Sequence, residues 1–242
     1  MKISILILAA GASNLESSDG GYPICLTEFD GVSLLERIII NTNSIESAKY
    51  SFAFLKSEAE RFHLDKVAKI LAPGADIFRI PESTKGSACT ALLSACQLDP
   101  ELELLIISAN ELVDIDFGDV VRDFRERKLD GGTLVFRSIH PRYSYVRLND
   151  DRLITEAAQQ DPISHYATAG VFWFAKTHDY ITSSMSLIRK NANVNGKFYV
   201  APTFNELILK QQRVGVLDLE LCKYTPLKNE RQVQQFEYGS KV

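Results

Sequence analysis

"ILILAAGASNLESSDGGYPICL", residues Ile5 to Leu26, decides how the chain is to be read. It opens as an apolar run, turns at Gly11 and stays polar until a helix begins beyond Gly31. A buried strand followed by about twenty irregular residues is a connection that compact domains keep for function. In a parallel sheet such a loop lies beyond the carboxyl end of its strand, where α/β folds take their ligands. It is not a Walker A loop, because no Gly-Lys-Ser/Thr follows, and not a dinucleotide fingerprint, because Ser13 replaces the second glycine. The small residues Ala10, Gly11, Ala12 and Ser13 still offer backbone N–H groups to an anion. Between Ala9 and Glu36 stand Glu16, Asp19, Glu28, Asp30 and Glu36 and no Lys or Arg. A triphosphate meets repulsion there unless a metal or a distant cation intervenes. A solvated acidic surface loop accounts for the same charges equally well.

Outward from this loop, short apolar runs alternate with segments of helical period. "SILILA" (Ser4 to Ala9), "YSFAFL" (Tyr50 to Leu55), "DIFRI" (Asp76 to Ile80) and "ELLIIS" (Glu103 to Ser108) each precede a helix candidate. In "SLLERIII" Ser33 is the N-cap and Glu36 completes a capping box, with Leu34, Leu35, Ile38 and Ile39 on one face. From Gly131 the texture changes to "GGTLVFRS", "YSYVRL", "RLITEA" and "AGVFWFA", strands joined by turns such as "NDDR". Helices near Asp179 to Arg189 and Pro202 to Gln211, a strand "VGVLDLEL" and a short terminal helix follow. The fold class is therefore α/β: a mostly parallel, Rossmann-like sheet with helices on both faces and an added antiparallel layer. No repeat or flexible linker interrupts it, so residues 1–242 read as a single domain.

Composition narrows the partners. The chain has 242 residues, 45% of them hydrophobic and 10% aromatic, with a net charge of −4 and no basic run. It is long enough to bury a full core and gives nucleic acid or an anionic membrane no electrostatic handle. The stretch Ile3 to Ala10 is too short to span a bilayer and leads into glycine rather than a cleavage site, which points to the cytoplasm. Cys25, Cys89, Cys96 and Cys222 form no CxxC and no metal spacing and read as buried thiols.

The blocks also resemble, in order, the sugar-phosphate nucleotidyltransferases of the GT-A-like fold. "LAAGAS" (Leu8 to Ser13), Pro23, Leu26, Gly31 and "LLER" (Leu34 to Arg37) match that family's opening. "TKGSACTALLSA" from Thr84 resembles the helix start that approaches the base. "HPRYSYVRLNDDRLITEAA" and "DPISHYATAGVFWF" resemble the sugar-binding strands, and "NGKFYVAPTFNELI" the following loop and helix. The resemblance makes Ala10, Gly11, Ala12, Ser13 and Gly86 nucleotide-binding candidates, and Gln159, Gln160, Gly170 and Asn205 substrate-binding candidates. It also implies a nucleotide or nucleotide-sugar and a phosphorylated small molecule as partners, with Mg²⁺ as the family's metal.

The charged positions of that family are neutral in this chain. Leu15 and Ile24 stand where the resemblance implies an arginine and a lysine, and Asn110 where it implies a metal-binding aspartate. Gln159-Gln160 replaces a Glu-Lys pair, and Cys222 a second metal aspartate. An amide is a weaker ligand for a hard cation, which leaves Asn110 and Glu111 as the metal candidates. An active enzyme would use other groups: Glu16, Asp19 and Glu111 to recruit a metal, and Arg79 or Lys85 to reach phosphates from neighbouring loops. Two functions fit: a nucleotidyltransferase-like protein that forms or binds a nucleotide-activated sugar or related phosphometabolite, in surface polysaccharide synthesis, or an inactive pseudoenzyme that binds a nucleotide-sugar or a partner. A third, a GT-A glycosyltransferase, needs Asp114 or Asp116 of "DID" in a metal site, whereas their place before "FGDVVRDF" reads as a helix cap. Gly86 serves either a close approach of base or ribose or a tight helix start. His140, His165 and His178 share no metal spacing and His63 falls in a polar helix, so all read as structural. Ser164 has no nucleophile elbow around it. Phe172, Trp173 and Phe174 read as core strand, and Asn205 and Glu206 either follow the family block or line an exposed helix face.

Overall fold

A computed structural model describes residues 2–10 and 22–227. In chain order, β1 (Ile3–Ala9) leads to the short pair β2 (Glu28–Phe29) and β3 (Val32–Ser33) and then to α1 (Leu34–Thr42). β4 (Ala48–Leu55) is followed by α2 (Lys56–Phe62) and α3 (Leu64–Leu71), and β5 (Asp76–Ile80) by α4 (Ser87–Ala95). β6 (Glu103–Ser108) runs into β7 (Glu111–Val113) and α5 (Phe117–Glu126). Then come β8 (Gly131–Arg137), β9 (Ser144–Leu148), β10 (Ile154–Gln159) and β11 (Tyr166–Phe174). The described chain closes with α6 (Thr177–Arg189), α7 (Thr203–Ile208), β12 (Val214–Asp218) and β13 (Tyr224–Pro226).

Among the described residues nine strands form one sheet, along the path β10-β9-β11-β6-β1-β4-β5, with β8 joining β11 and β12 joining β8. β1 pairs in parallel with β4 and with β6, and β4 with β5. β11 lies antiparallel to β6 and to β8. The antiparallel strands expected as an added layer thus extend the parallel sheet sideways. After β1 the chain winds out to β5 and returns, so that β6 falls on the other side of β1; this reversal places a crevice beyond the carboxyl ends of β1 and β6.

Alternation along the strands fills both faces. Ile3, Ile5 and Ile7 of β1, Leu105 and Ile107 of β6 and Val171 and Trp173 of β11 join one buried cluster. Leu6 and Leu8, Leu104 and Ile106, and Phe172 and Phe174 join the other. At the start of β6, buried Glu103 accepts a forked pair from Arg125 of α5 (2.9 and 2.8 Å) and the indole N–H of Trp173 (3.4 Å). A buried carboxylate is tolerable only with such partners.

The capping box forms at its N-terminal half: Ser33 Oγ accepts the Glu36 N–H at 3.2 Å and α1 begins at Leu34. Other expectations need correction. His63 is not inside a helix; it takes φ +53° and separates α2 from α3, its carbonyl accepting the Lys66 and Val67 N–H groups of the first turn of α3. Of the cysteines only Cys25 is buried, where its thiol is pushed up to about 12 by desolvation, while Cys96 and Cys222 are exposed. The expected terminal helix lies outside the described residues. No helix among the described residues is long and apolar enough to cross a membrane.

Ser33→Ala removes the side-chain acceptor at the start of α1 and is expected to cost about 1 kcal/mol in urea denaturation, with the slope unchanged. An unchanged midpoint would mean that water replaces the cap without loss.

Candidate functional site

The crevice beyond β1 and β6 is a cavity of about 250 Å³. Leu8, Ile106 and Phe172 give it an apolar wall, and Ser108, Asn110 and Glu111 follow the end of β6 into it. Thr168 and Gly170 of β11 face it, as do Arg142, Ser144, Gln159 and Gln160 from the β9–β10 side. Ser87 at the start of α4 and the segment Tyr199 to Ala201 complete the lining. Among the described residues hydroxyl and amide groups predominate in the lining, with one acid, Glu111, and one base, Arg142.

Backbone geometry opens the space. The β11–β8 register shifts between Thr168 and Phe172, and Gly170 within that bulge has φ +59°. A Cβ on Gly170 would lie 1.8 Å from Glu111 Oε1, so the carboxylate rests directly against the glycine. Its other oxygen, Oε2, accepts the phenol of Tyr224, which reaches in from β13. Antiparallel pairing of β13 with β7 sets that contact, and the Leu227 N–H to the Asn110 carbonyl (3.0 Å) extends it. Burial, with the charge of Glu111 beside it, holds the Tyr224 phenol far above its ordinary value, so it remains a donor at every physiological pH. Its ring stacks on Phe136, centroids 4.3 Å apart.

The structure brings Asn110, Glu111, Gln159, Gln160 and Gly170 together around one cavity. Gly11, Ala12, Ser13, Leu15, Glu16 and Asp19 lie outside the described residues. Ala10 packs beside the Leu8 cluster at the end of β1. Gly86 owes its lack of a side chain to the backbone: a Cβ would meet the Phe198 carbonyl at 2.3 Å, and Phe198 bonds to Lys85 and Ala88 on either side. Its φ of +98° and the passing Phe198 backbone both require a glycine at the start of α4. Asn205 is spent elsewhere, its amide accepting from Ala157 N–H and donating to Ala157 C=O, both at 2.8 Å, as a clasp between α7 and β10. Glu206 is buried and pairs with Lys190 at 2.8 Å. Ile24 packs against the core, and Arg79 pairs with Asp65 at 3.4 Å.

The side chains present do not fit a divalent cation. Asn110 Oδ1 already accepts the Ser108 hydroxyl at 2.9 Å, and Glu111 is held by a phenol. No three His, Cys, Asp or Glu groups gather as a cage among the described residues. Cys222 is exposed beside Glu220 and does not line the cavity; the side chain that reaches Glu111 comes from Tyr224, two residues on. Asp116 caps α5 through the Gly118 N–H at 2.7 Å and the Ser44 hydroxyl, and Asp114 accepts from Asn41 at 3.3 Å. Both aspartates of "DID" are thus occupied in holding α5 and α1.

Sequence reasoning missed Arg142, Ser144, Tyr199 and Tyr224. Arg142 was visible as a cation in "HPRYSY", but nothing local distinguishes it from the other arginines of these strands. Tyr224 depends on a pairing 113 residues apart, which no local pattern announces.

No protein-family model matches the chain, and no curated protein does. Solved structures do. The nucleoside-diphosphate-sugar pyrophosphorylase from Vibrio cholerae RC9 superposes with a TM-score of 0.80 at 18% identity, over 97% of this chain and 98% of that one. The inositol-1-phosphate CTP transferase from T. maritima gives 0.71 at 20% identity, over 95% and 90%. A UDP-glucose pyrophosphorylase complexed with UDP-glucose gives 0.74 at 11% identity, over 100% of both chains. The chain has the fold of sugar-phosphate nucleotidyltransferases.

Two substitutions probe this geometry. Gly170→Ala forces Glu111 off its seat and strains a left-handed residue, with an expected loss of about 2 kcal/mol in urea denaturation. Asp116→Ala removes a cap whose carboxyl is held below its usual value, chiefly by Ser44. A lowered folded value means that the cap stabilises above the ordinary carboxylate range and is lost as pH falls through it. The variant should therefore lose about 1 kcal/mol at pH 7 and converge on the parent protein in strong acid. A constant difference at all pH values would contradict the charged cap.

Proposed function

We propose that this protein binds a nucleotide-activated sugar, with the glycosyl half in the cavity between β6, β10 and β11, and that residues 1–242 act as one nucleotidyltransferase-like domain. The observation that carries the reading is the lining: hydroxyls and amides on several walls, an apolar floor, and Glu111 fixed as an acceptor by Tyr224 and Gly170. Sugars are recognised by such a set, because each hydroxyl both donates and accepts. UDP-glucose occupies one of the proteins that share this fold.

In this reading Glu111 accepts from a sugar hydroxyl, the Gln159 and Asn110 amides donate to sugar oxygens, and the bulge at Gly170 lets the ring approach the strand backbone. The nucleotide extends toward the loop that begins at Ala10, and Gly11, Ala12 and Ser13 supply backbone N–H groups to its phosphates. Asn110 and the lack of any cation from Ala10 to Glu36 favour binding over turnover. The second reading, formation of the nucleotide-sugar by attack of a sugar phosphate on the α-phosphate with release of pyrophosphate, is favoured by the position of the cavity at the strand reversal.

Calorimetric titration of the whole chain with each nucleoside triphosphate and a panel of nucleotide-sugars, with and without Mg²⁺, separates these readings. Micromolar binding of a nucleotide-sugar that is indifferent to Mg²⁺ is expected. Tight Mg²⁺-dependent binding of one triphosphate, with pyrophosphate released on adding a sugar 1-phosphate, would establish turnover instead. Binding of neither ligand class overturns both.

A further inference from the structure

We infer that the sugar taken by this cavity carries a carboxylate, and that Arg142 is the residue that reads it. The inference rests on the cavity being a nucleotide-sugar site and specifies which sugar class enters it.

Arg142 is the one cation in the lining among the described residues. Neighbouring arginines are committed: Arg147 holds Glu156, and Arg152 holds Asp218. No carboxylate of the described residues lies within ion-pair distance of Arg142. Its Nε–H donates to His140 Nδ1 at 3.3 Å, and its guanidinium lies 5.4 Å from the centroid of the Tyr143 ring. These contacts orient the planar group without neutralising it.

The amides around it are biased in the same direction. Ser144, opposite Gln159 in the β9–β10 register, donates its hydroxyl to Gln159 Oε1. Ser108 does the same to Asn110 Oδ1. With each amide oxygen engaged, the NH₂ groups are what Gln159 and Asn110 have to offer a ligand. The Gln160 N–H bonds the Tyr143 carbonyl at 2.9 Å, which ties the Arg142 segment to the end of β10. One end of the cavity therefore presents a guanidinium and an amide N–H₂, all donors, while Glu111 supplies an acceptor at the β6–β7 end.

A ligand that matches this polarity has an anionic acceptor at one end and hydroxyl donors at the other. A carboxylate carries one charge and fits the guanidinium fork with two parallel bonds. A sugar-borne phosphate brings nearly two charges to a cavity that holds one cation and a carboxylate, so the balance favours the monoanion. A neutral hexose leaves Arg142 with only hydroxyl partners.

The test is calorimetry on the full chain with matched pairs, UDP-glucose against UDP-glucuronate and GDP-mannose against GDP-mannuronate, with glucose 1-phosphate and free glucuronate as separate arms. The uronate member of a pair is expected to bind about tenfold or more tightly than its neutral partner. Arg142→Gln should bring that ratio close to one, and Arg142→Lys, which keeps the charge but loses the fork, should retain part of it. Equal or tighter binding of the neutral member overturns the inference and leaves the nucleotide-sugar reading standing. So does a uronate preference that survives Arg142→Gln, or a preference for glucose 1-phosphate over the uronates. Failure of every nucleotide-sugar to bind removes both.

Discussion

The molecule is organised by the demand placed on β6, which must pair with neighbours running in opposite directions. On one side β1 lies parallel to it and stays in register as far as Leu8 against Ser108. On the other, β11 lies antiparallel and meets it from Val171 against Ile107 onward. Parallel bonds are slanted and evenly spaced, and antiparallel bonds are perpendicular and come in pairs, so one strand satisfying both ladders has little freedom to shift. Where those ladders end, β11 bulges at Gly170 and the chain after β6 turns into β7. The cavity is the space left by that divergence, lined by side chains at and just beyond the strand ends.

Within this space hydrogen bonds take the place of charge. A buried carboxylate is costly unless it is satisfied, and Glu111 meets that requirement through the Tyr224 phenol and its seat against Gly170. The phenol donates to one carboxylate oxygen and so fixes the rotamer of the acid. Asn110 is similarly fixed by Ser108, and Gln159 by Ser144. Such a set is preorganised for recognition, because the orientation of each group is settled before any ligand arrives. The same arrangement is poor at gathering polyphosphate, which needs several cations or a metal.

Much of the fold was legible because its signals are local. The strands of "SILILA", "YSFAFL", "DIFRI" and "ELLIIS" lie within β1, β4, β5 and β6, and Ser33 caps α1 as its spacing indicates. Asp116 likewise announced itself as a cap by its place before an amphipathic run. The failures share a different cause. His63 breaks a helical pattern through a left-handed backbone, which composition does not reveal. The exposure of Cys96 and Cys222 depends on which faces the sheet covers. Tyr224 acquires its role through pairing with β7, a contact made by a distant part of the chain.

The neutral positions acquire a common meaning once the site is viewed as a hydrogen-bonding surface. Had only one charged group been lost from an otherwise triphosphate-binding site, its former partners would remain buried and unbalanced, at a cost of several kcal/mol. No such orphan is found at Asn110, whose oxygen has a hydroxyl, or at Ile24, which packs into the core. Ser108 and Ser144 supply hydrogens to the Asn110 and Gln159 amide oxygens. Arg142 is the exception, a cation held in place by a histidine and an aromatic ring but without a carboxylate among the described residues. In a cavity where Asn110, Glu111 and Gln159 each have a neutral partner, its natural counterpart is the ligand itself.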